Sequence, residues 1–380
     1  MTCIMPVFIS QLLLLPLLLL DISRTCCIRN DCLPVCRCHT LSYGPFESLR
    51  LTHVDCSDQY SNSGGKQYNA SIPKYLPLDS ISLDLSSNRI SALRSGMLHG
   101  PGYTTLKTLD LSRNPLEHLG PNVLSGLFYL DFLNLSHTGL QVLDLRMLQR
   151  LSLSDLDLSH NRLQNVSLDT FVTGRIGRPL TLRLSDNGLT FIIRHTGSTI
   201  PNLRFLDLSQ NLLSVVPSHA LKGLPLRHLD LSENFISTLL PKAFDGLPEL
   251  IHLNLRAMRG QLSSVSHRAF SGLRNLHEMD ISGNPALAVL SPNIFQGLHS
   301  LRDLRIAGTG LDDMPSETLS KLPALQLLSV GNTSFICSKL PLIYLKLLWT
   351  GFAQESRVAQ EGVTCHVIYP NGDHLGINKL

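Results

Sequence analysis

The chain has 380 residues, of which 43% are hydrophobic and only 16% charged, against about 25% charged in an ordinary globular domain. Leucine accounts for 79 residues and tryptophan for one, which indicates many copies of one small packing unit. The formal net charge of +3 argues against nucleic acid as a partner, because nucleic-acid binders concentrate positive charge on one face or tail.

Residues 1–25 have the pattern of a signal peptide. The apolar run from Val7 to Leu20 is shorter than the roughly 20 residues that span a bilayer, and it suits a signal-peptide core. Small residues at Ser23 and Thr25 permit cleavage before Cys26, although cleavage after Cys27 or retention as an uncleaved anchor are alternatives. No other run reaches membrane length. The sequence therefore predicts a secreted protein of the extracellular space or matrix, with no membrane span.

Six further cysteines form two clusters near the ends of the chain, and none lies between Cys56 and Cys337. Cross-linked ends are typical of an oxidising compartment. We expect a cysteine-rich cap at residues 26–77, with a polar insert from Ser57 to Ser71, and a second cysteine cap with a tail at residues 334–380. The six cysteines are Cys32, Cys36, Cys38, Cys56, Cys337 and Cys365.

Residues 78–333 repeat the phrase LxxLxLxxN about eleven times, with a mean period of about 24 or 25 residues, inside the range of leucine-rich repeats. The alternating leucines have the two-residue period of a strand and should point inward. The sequence thus predicts an α/β leucine-rich repeat solenoid, a curved right-handed horseshoe with a parallel concave sheet and capped ends. The copies end at Asn88, Asn114, Thr138, Asn161, Asn187, Asn211, Asn234, Met258, Asn284, Thr309 and Thr333.

The ninth position of this phrase, the ladder position, is expected to be structural. A buried Asn amide can satisfy backbone groups where the chain leaves the strand, and the three Thr residues could do part of that work. Met258 cannot, so we expect a local irregularity there. On the return side, Phe244, Phe270 and Phe295 should fill the convex half of the core.

The third and fifth positions of the phrase should line the concave face. Among mostly polar third-position residues, such as Thr108, Asp155, Thr181 and Asp303, the large apolar residues are Phe132 and Phe205. Together with Arg204, Arg227 and His228 they form a candidate partner-binding patch of mixed apolar and basic character, although packing between strands is an alternative role for the two Phe residues. The fifth position is usually Asp, and this Asp has two possible roles. It is a solvated residue that belongs to the generic repeat phrase, or the positions where the Asp is replaced select a charged partner. Those positions are Asn134, Arg183, Asn254 and Arg305.

The chain lacks HExxH, GxSxG and a phosphate-binding glycine loop, so no catalytic residue, no cofactor and no enzymatic activity are predicted. His137, His160 and Asp186 have a spacing compatible with a metal ion. Adjacent surface histidines without fixed geometry are commoner, and no metal site is predicted. A basic group could contact heparan sulfate, with scattered surface charge as the alternative; it comprises Arg256, Arg259, Arg268 and Arg274.

Four N-x-S/T sequons predict N-linked glycosylation. They lie at Asn69, Asn134, Asn165 and Asn332. Asn134 occupies the concave floor, where a glycan would cover neighbouring strands. We expect Asn69 and Asn165 to be the most fully occupied.

The spacing C-x3-C-x-C-x17-C before the first repeat resembles that of the small leucine-rich proteoglycan family, as do the phrases LDLSSNRI, HGPGYTTLKTLDLSRNPL at residues 99–116 and VGNTSFIC. In related caps the first cysteine pairs with the third and the second with the fourth. The resemblance therefore implies disulfides Cys32–Cys38 and Cys36–Cys56, which leaves Cys337 to pair with Cys365. Whether Cys26 and Cys27 link two chains is open.

The resemblance also implies a function. It is strongest to secreted family members that inhibit BMP signalling together with chordin and inhibit Wnt signalling by binding Frizzled, and that also act on the TGF-beta, FGF and Notch pathways, including a Notch ligand. A structural matrix protein that binds collagen fibrils is the alternative from a different class. Without the resemblance, the residues indicate only a secreted, curved protein-binding module.

Overall fold

In a computed structural model of the chain, the described residues are 32–33, 35–44, 49–59, 72–142, 148, 151–171, 178–195, 197, 199–312, 318–319, 321–330 and 366–368. Several predictions from the sequence fall outside these ranges. They are the signal peptide, most of the polar insert with Asn69, the ladder residue Thr333, the sequon at Asn332, and the pair Cys337 and Cys365.

The described residues form twenty strands. In chain order these are β1 (Arg37–Tyr43), β2 (Leu49–Asp55), β3 (Ser80–Asp84), β4 (Ala92–Leu93), β5 (Thr108–Asp110), β6 (His118–Leu119), β7 (Phe132–Asn134), β8 (Asp155–Asp157), β9 (Asn165–Ser167), β10 (Leu180–Arg183), β11 (Phe191–Ile193), β12 (Leu203–Asp207), β13 (His228–Asp230), β14 (Thr238–Leu239), β15 (His252–Asn254), β16 (Ser264–Val265), β17 (Glu278–Asp280), β18 (Asp303–Arg305), β19 (Leu327–Ser329) and β20 (His366–Ile368).

Fourteen of these strands make one sheet, in the order β1-β2-β3-β5-β7-β8-β10-β12-β13-β15-β17-β18-β19-β20. The eleven from β3 to β19 come one from each repeat, and they run parallel in register. At the two ends, β1 pairs antiparallel with β2 and β20 pairs antiparallel with β19. The predicted leucine-rich repeat horseshoe with a parallel concave sheet is confirmed.

The leucines of the phrase build the core from the inside of each strand. In the repeat of β12, Leu203, Leu206 and Leu208 are fully buried, whereas Phe205 and Asp207 between them are only partly buried. The same alternation recurs along the sheet. It follows from the two-residue period of a strand, which directs successive side chains to opposite faces.

The ladder asparagines tie each repeat to the one before it. Asn211 is fully buried, and its amide Nδ2 donates to the carbonyls of Leu184, Leu208 and Ser209 at 2.9, 3.0 and 3.0 Å. Its Oδ1 accepts the N–H groups of Asn187 and Leu189, both at 3.0 Å. Where Thr replaces Asn, at Thr138 and Thr309, the hydroxyl donates to the carbonyl three residues earlier, at 2.8 and 2.7 Å.

The residue before the ladder position has a left-handed backbone in ten repeats. In eight of them it is not glycine, and φ lies between 49° and 56°. In nine of the ten, its N–H donates to the carbonyl of the seventh-position residue in the next repeat, as Arg113 does to Ser136 at 3.0 Å. The turn therefore continues the hydrogen-bonding of the sheet beyond the strand. The ten residues are Ser87, Arg113, His137, His160, Asp186, Gln210, Glu233, Ala257, Gly283 and Gly308.

The repeat of Met258 departs from this pattern after its strand. The strand pairing of β15 with β17 is unbroken, and Met258 N–H donates to Asn284 Oδ1 at 2.9 Å. The irregularity follows at Gly260 and Gln261: a Cβ on Gly260 would lie 2.1 Å from the carbonyl oxygen of Phe235, and Gln261 has a φ of 55°. Only glycine fits at residue 260, because the two backbones are in contact there.

The return side is mostly turns, with three two-stranded sheets, β4-β6, β9-β11 and β14-β16, a 3-10 helix Leu168–Phe171 and a short helix α1 (Ser218–Leu221). Phe244, Phe270 and Phe295 are buried there and stack in sequence, with ring centroids 5.8 and 6.4 Å apart. None of the helices in the described ranges has the length and apolar character that a membrane crossing requires.

Two disulfides staple the N-terminal cap, Cys32–Cys38 and Cys36–Cys56, which is the pairing that the resemblance implies. The segment GPGYTTL packs on the start of the solenoid. A Cβ on Gly102, where φ is 80°, would lie 2.4 Å from the carbonyl oxygen of Pro77, and the buried Tyr103 hydroxyl donates to the carbonyl of Pro73 at 2.6 Å. This segment therefore has a structural role, because it packs against residues 73–77 and hydrogen-bonds to them.

Candidate functional site

The concave face is formed by the third and fifth positions of the repeats, which stand in two columns because the strands pair in register. Phe205 aligns with His228, and His228 with His252. Asp207 likewise aligns with Asp230, and Asp230 with Asn254. Neighbouring parallel strands lie about 4.8 Å apart, so side chains within a column touch.

The fifth-position Asp residues are structural as well as charged. In each, Oδ1 accepts the backbone N–H two residues later, as Asp207 does from Ser209 at 2.9 Å. This bond holds the turn that leaves the strand. The other five are Asp84, Asp110, Asp157, Asp230 and Asp280, with distances of 2.8 to 2.9 Å.

The interruptions of this column fall into two kinds. Asn134 and Asn254 make the same turn bond, to Ser136 at 2.9 Å and Arg256 at 3.0 Å. The arginines instead form ion pairs with third-position aspartates, Arg183 with Asp155 at 2.5 Å and Arg305 with Asp303 at 2.6 Å. Two of the interruptions therefore change the charge of the floor, and both new charges are paired.

An aromatic ladder occupies the third-position column over four strands; we define it as Phe205, His228, His252 and Glu278. The rings of Phe205 and His228 are 5.6 Å apart, and those of His228 and His252 stack at 4.2 Å with an interplanar angle of 7°. His252 Nδ1 lies 3.0 Å from Glu278 Oε2. At the other end, the Arg183 guanidinium lies 5.8 Å from the Phe205 ring centroid, within the range of a cation–π contact.

A shallow depression of about 210 Å³ lies over this ladder. Besides the four ladder residues, its charged lining consists of Asp230, Asp280 and Arg305. Burial raises the pKa of the Asp230 carboxyl, against hydrogen bonds from Ser232 and Asn254. Burial, followed by repulsion from His252, lowers the pKa of the His228 imidazole. Burial thus favours the neutral form of the His228 imidazole, and the depression is aromatic with the acidic residues Asp230 and Asp280 in its floor.

The structure brings together only part of the predicted binding patch. Phe205 and His228 are in contact, but Phe132 lies on β7, with β8 and β10 between it and Phe205. Arg204 forms an ion pair with Glu249 and also donates to Asn202 at 3.1 Å, and Arg227 is exposed. Neither arginine lines the depression, although Arg227 is close enough to His228 to contribute to the lowering of the pKa of its imidazole. The mixed apolar and basic character of the patch stays a prediction.

The other two clusters read from the sequence have different geometries. The rings of His137 and His160 stack at 4.0 Å, and His160 Nδ1 lies 2.9 Å from Asp186 Oδ2. In the part of the chain that the structure describes, no group of three or more His, Cys, Asp or Glu side chains is arranged to hold a metal ion. In the basic group, Arg259 pairs with Glu233 at 2.8 Å, which reduces the charge available to a sulfated chain.

Comparison with known proteins places the chain in a family. The family model described as leucine rich repeat matches residues 81–140, 180–226, 225–257 and 258–311. The chain is 41% identical to Tsukushi of Mus musculus, over 83% of this chain and 87% of the relative. It is 38% identical to Tsukushi of Gallus gallus, over 78% of each chain.

A solved structure shares the fold. The crystal structure of a TLR13–ssRNA13 complex matches with a TM-score of 0.56 and 28% identity, over 66% of this chain and 40% of that one. The relatives at about 40% identity extend over most of both chains, and the protein therefore belongs to the Tsukushi family of leucine-rich repeat proteins.

Proposed function

We propose that the protein is a secreted, extracellular, protein-binding modulator of developmental signalling. By family membership its partners are BMP with chordin, whose signalling it inhibits, and Frizzled, through which it inhibits Wnt signalling; TGF-beta, FGF and Notch pathway proteins are further partners. The apolar leader and the two cap disulfides support secretion, because such bonds persist in oxidising compartments.

The observation that carries this proposal is the aromatic ladder on the concave face. Its side chains are held by parallel strands, so little conformational entropy is lost when a partner docks on them. Phe205 and His228 are partly buried and still accessible, which suits the anchor of an interface, since aromatic residues are enriched among binding hot spots.

The role is binding rather than catalysis. Stacked imidazoles and paired carboxylates line an open depression here, whereas a catalytic base needs an orienting group beside a nucleophile in a site that excludes water. A partner protein that covers the aromatic ladder would displace water from the depression and would bury the Phe205 ring, which stabilises the complex.

The double variant Phe205→Ala/His228→Ala tests the proposal. Loss of two neighbouring anchors should weaken binding to a Frizzled ectodomain, and to a BMP with chordin, by about 30-fold or more. Phe132→Ala is the matched control, because it removes a ring from the same repeat position on β7, which is separated from Phe205 by the two strands β8 and β10. Binding is measured by biolayer interferometry on secreted protein whose melting temperature is unchanged.

Three other outcomes are informative. Undiminished binding of the double variant to both partners would move the interface off this face. Binding to fibrillar collagen with no binding to the signalling proteins would favour a structural matrix protein. Retention of the chain in cells, instead of a processed product in the medium that begins at Cys26 or just after Cys27, would contradict secretion.

A further inference from the structure

A row of exposed apolar side chains runs along the return side of four successive repeats. The row occupies the position four residues after the ladder position, and we call it the flank row: Val142, Asn165, Phe191 and Val215. The three apolar members are 81%, 50% and 56% exposed, in chain order. The one polar member, Asn165, stands between Val142 and Phe191 and begins the sequon Asn165-Val166-Ser167.

The small sheet β9-β11 fixes the relation of Asn165 to its aromatic neighbour. The two strands are parallel, with Asn165 in register with Phe191 and Ser167 in register with Ile193. Val166 and Ile192 between them are buried. Asn165 and Phe191 therefore stand on the same outer face, on strands about 4.8 Å apart.

Phe191 and Ile193 project from the same outer face of β11 and are both exposed, and an exposed apolar patch marks a surface that another group covers. Val142, Phe191 and Val215, with Ile193 beside them, are large side chains, and none of them belongs to the concave face. Asn165 stands at the row position between Val142 and Phe191, in register with Phe191, and it carries the acceptor sequence for an N-linked glycan.

We propose that an N-linked glycan on Asn165 lies over Phe191 and covers the flank row. Its first N-acetylglucosamine presents a C–H face of the sugar ring, which packs on an aromatic ring as other apolar groups do. The occupant is thus part of the same molecule. This inference rests on the secretion stated in the proposed function, because N-glycosylation takes place in the secretory pathway.

The attachment is an ordinary group transfer. A bond forms between Asn165 Nδ2 and the anomeric carbon of N-acetylglucosamine, and the bond from that carbon to a lipid-linked diphosphate donor breaks. The diphosphate leaves with the bonding electron pair, and the amide nitrogen loses one proton. Asn165 is exposed, so the product fits on the folded surface.

The test is a double-mutant cycle on protein secreted from mammalian cells. Asn165→Gln removes this glycan alone, and Phe191→Ser removes the ring. In the parent protein, loss of the glycan should lower the melting temperature by about 2 °C; in the Phe191→Ser background the fall should be absent. Val289→Ser, at an exposed apolar residue outside the flank row, is the matched control and should leave the full effect of Asn165→Gln.

Enzymatic removal of the glycan from the folded protein repeats the measurement without the risk that a variant folds poorly during secretion. A second readout is the NMR shift of the N-acetylglucosamine protons, which should lie upfield in the parent and return to ordinary values in Phe191→Ser. Ser167→Thr keeps the sequon and should keep the upfield shift.

Three results would overturn the inference. The first is an unoccupied Asn165 in a secreted protein whose other sequons carry glycans, and the second is an equal fall in melting temperature with and without Phe191. The third is that the glycosylated protein forms a dimer and Phe191→Ser converts it to a monomer. A second copy of the chain, and not the glycan, would then cover the flank row. A chain that is retained in cells with every sequon bare would instead refute the proposed secretion.

Discussion

Asn134 donates its side-chain amide to Asp110 Oδ2 over 2.9 Å, from β7 to β5, and its own Oδ1 accepts the N–H of Ser136 at 2.9 Å. Both ends of this amide are therefore used within the concave floor. Asn134 is also the first residue of a sequon, and a sugar on its Nδ2 would have to fit on the concave floor among these hydrogen-bonded side chains. The folded structure and glycosylation compete at this residue.

We expect Asn134 to be bare or only slightly glycosylated in the secreted protein, while Asn165 is occupied. Asn165 is exposed on the return side, whereas Asn134 is partly buried among hydrogen-bonded neighbours. Quantitative glycopeptide mass spectrometry checks this expectation. Occupancy at Asn134 equal to that at Asn165 would mean that the concave floor tolerates a glycan, and the partner would then have to bind elsewhere.

Asn211→Ala should destabilise the protein by about 3 kcal/mol or more, because it leaves several buried backbone groups without partners. Asn211→Thr should cost less, since Thr138 and Thr309 show that a hydroxyl still reaches one carbonyl. Urea unfolding followed by circular dichroism gives both values.

The control for that pair is Asn254→Ala, which removes an Asn amide from the concave floor instead of the buried ladder. Asn254 makes two hydrogen bonds outside the core, to Asp230 at 2.8 Å and from the N–H of Arg256 at 3.0 Å, so the cost should be about 1 to 2 kcal/mol. Equal costs for Asn211→Ala and Asn254→Ala would show that the ladder position is less structural than its five hydrogen bonds indicate.

The horseshoe and its eleven strands could be predicted from the sequence because the phrase LxxLxLxxN encodes the strand, the inward leucines and the ladder amide in nine residues. The left-handed backbone conformation at the eighth position could not be predicted from the sequence. It is filled by residues as different as Arg113, His160 and Ala257, so its conformation is imposed by the hydrogen bonds to the next repeat and leaves no mark in the composition.

The candidate site could be predicted only in part, for a similar reason. Phe205 and His228 stand out in the third position as large or aromatic residues. His252 and Glu278 extend the same column, and reading that column across repeats would have found them. The nearby ion pair of Arg204 with Glu249 could not be predicted in this way, because it joins residues 45 positions apart and follows no repeat pattern.

Tyr103→Phe should destabilise the N-terminal end of the solenoid by about 1 to 2 kcal/mol, because the carbonyl of Pro73 loses its buried donor. Gly102→Ala should cost more, since its φ is 80° and a Cβ would collide with the backbone of Leu76 and Pro77. Hydrogen exchange should show the loss of protection confined to the cap and first repeats. Gly139→Ala, which also has a positive φ but open space around it, separates backbone strain from collision.

The imidazole stacks make stability depend on pH. Burial first, and then the neighbouring His160, lowers the pKa of His137, and burial with His252 lowers that of His228. In the unfolded chain both have a pKa of about 6.5, so below that pH the unfolded state binds more protons than the folded state. The stability they contribute is complete above pH 6.5 and is lost as the pH falls through their lower folded pKa values.

We therefore expect the free energy of unfolding to decline between pH 7.5 and 5.5, and the double variant His137→Asn/His228→Asn to flatten that decline. The groups facing His228 are Phe205, Arg227, Asp230, His252 and Glu278. Glu233 does not contribute to this decline between pH 7.5 and 5.5. The hydrogen bond from Arg259 lowers the pKa of its carboxyl, so it titrates at a lower pH. Urea unfolding at three pH values measures the decline.

His252→Gln removes the neighbouring imidazole, whose electrostatic effect lowers the pKa of His228, and should therefore raise that pKa, read from the His228 ring-proton shifts. A His228 titration that His252→Gln leaves unchanged would show that the stacked pair does not interact electrostatically.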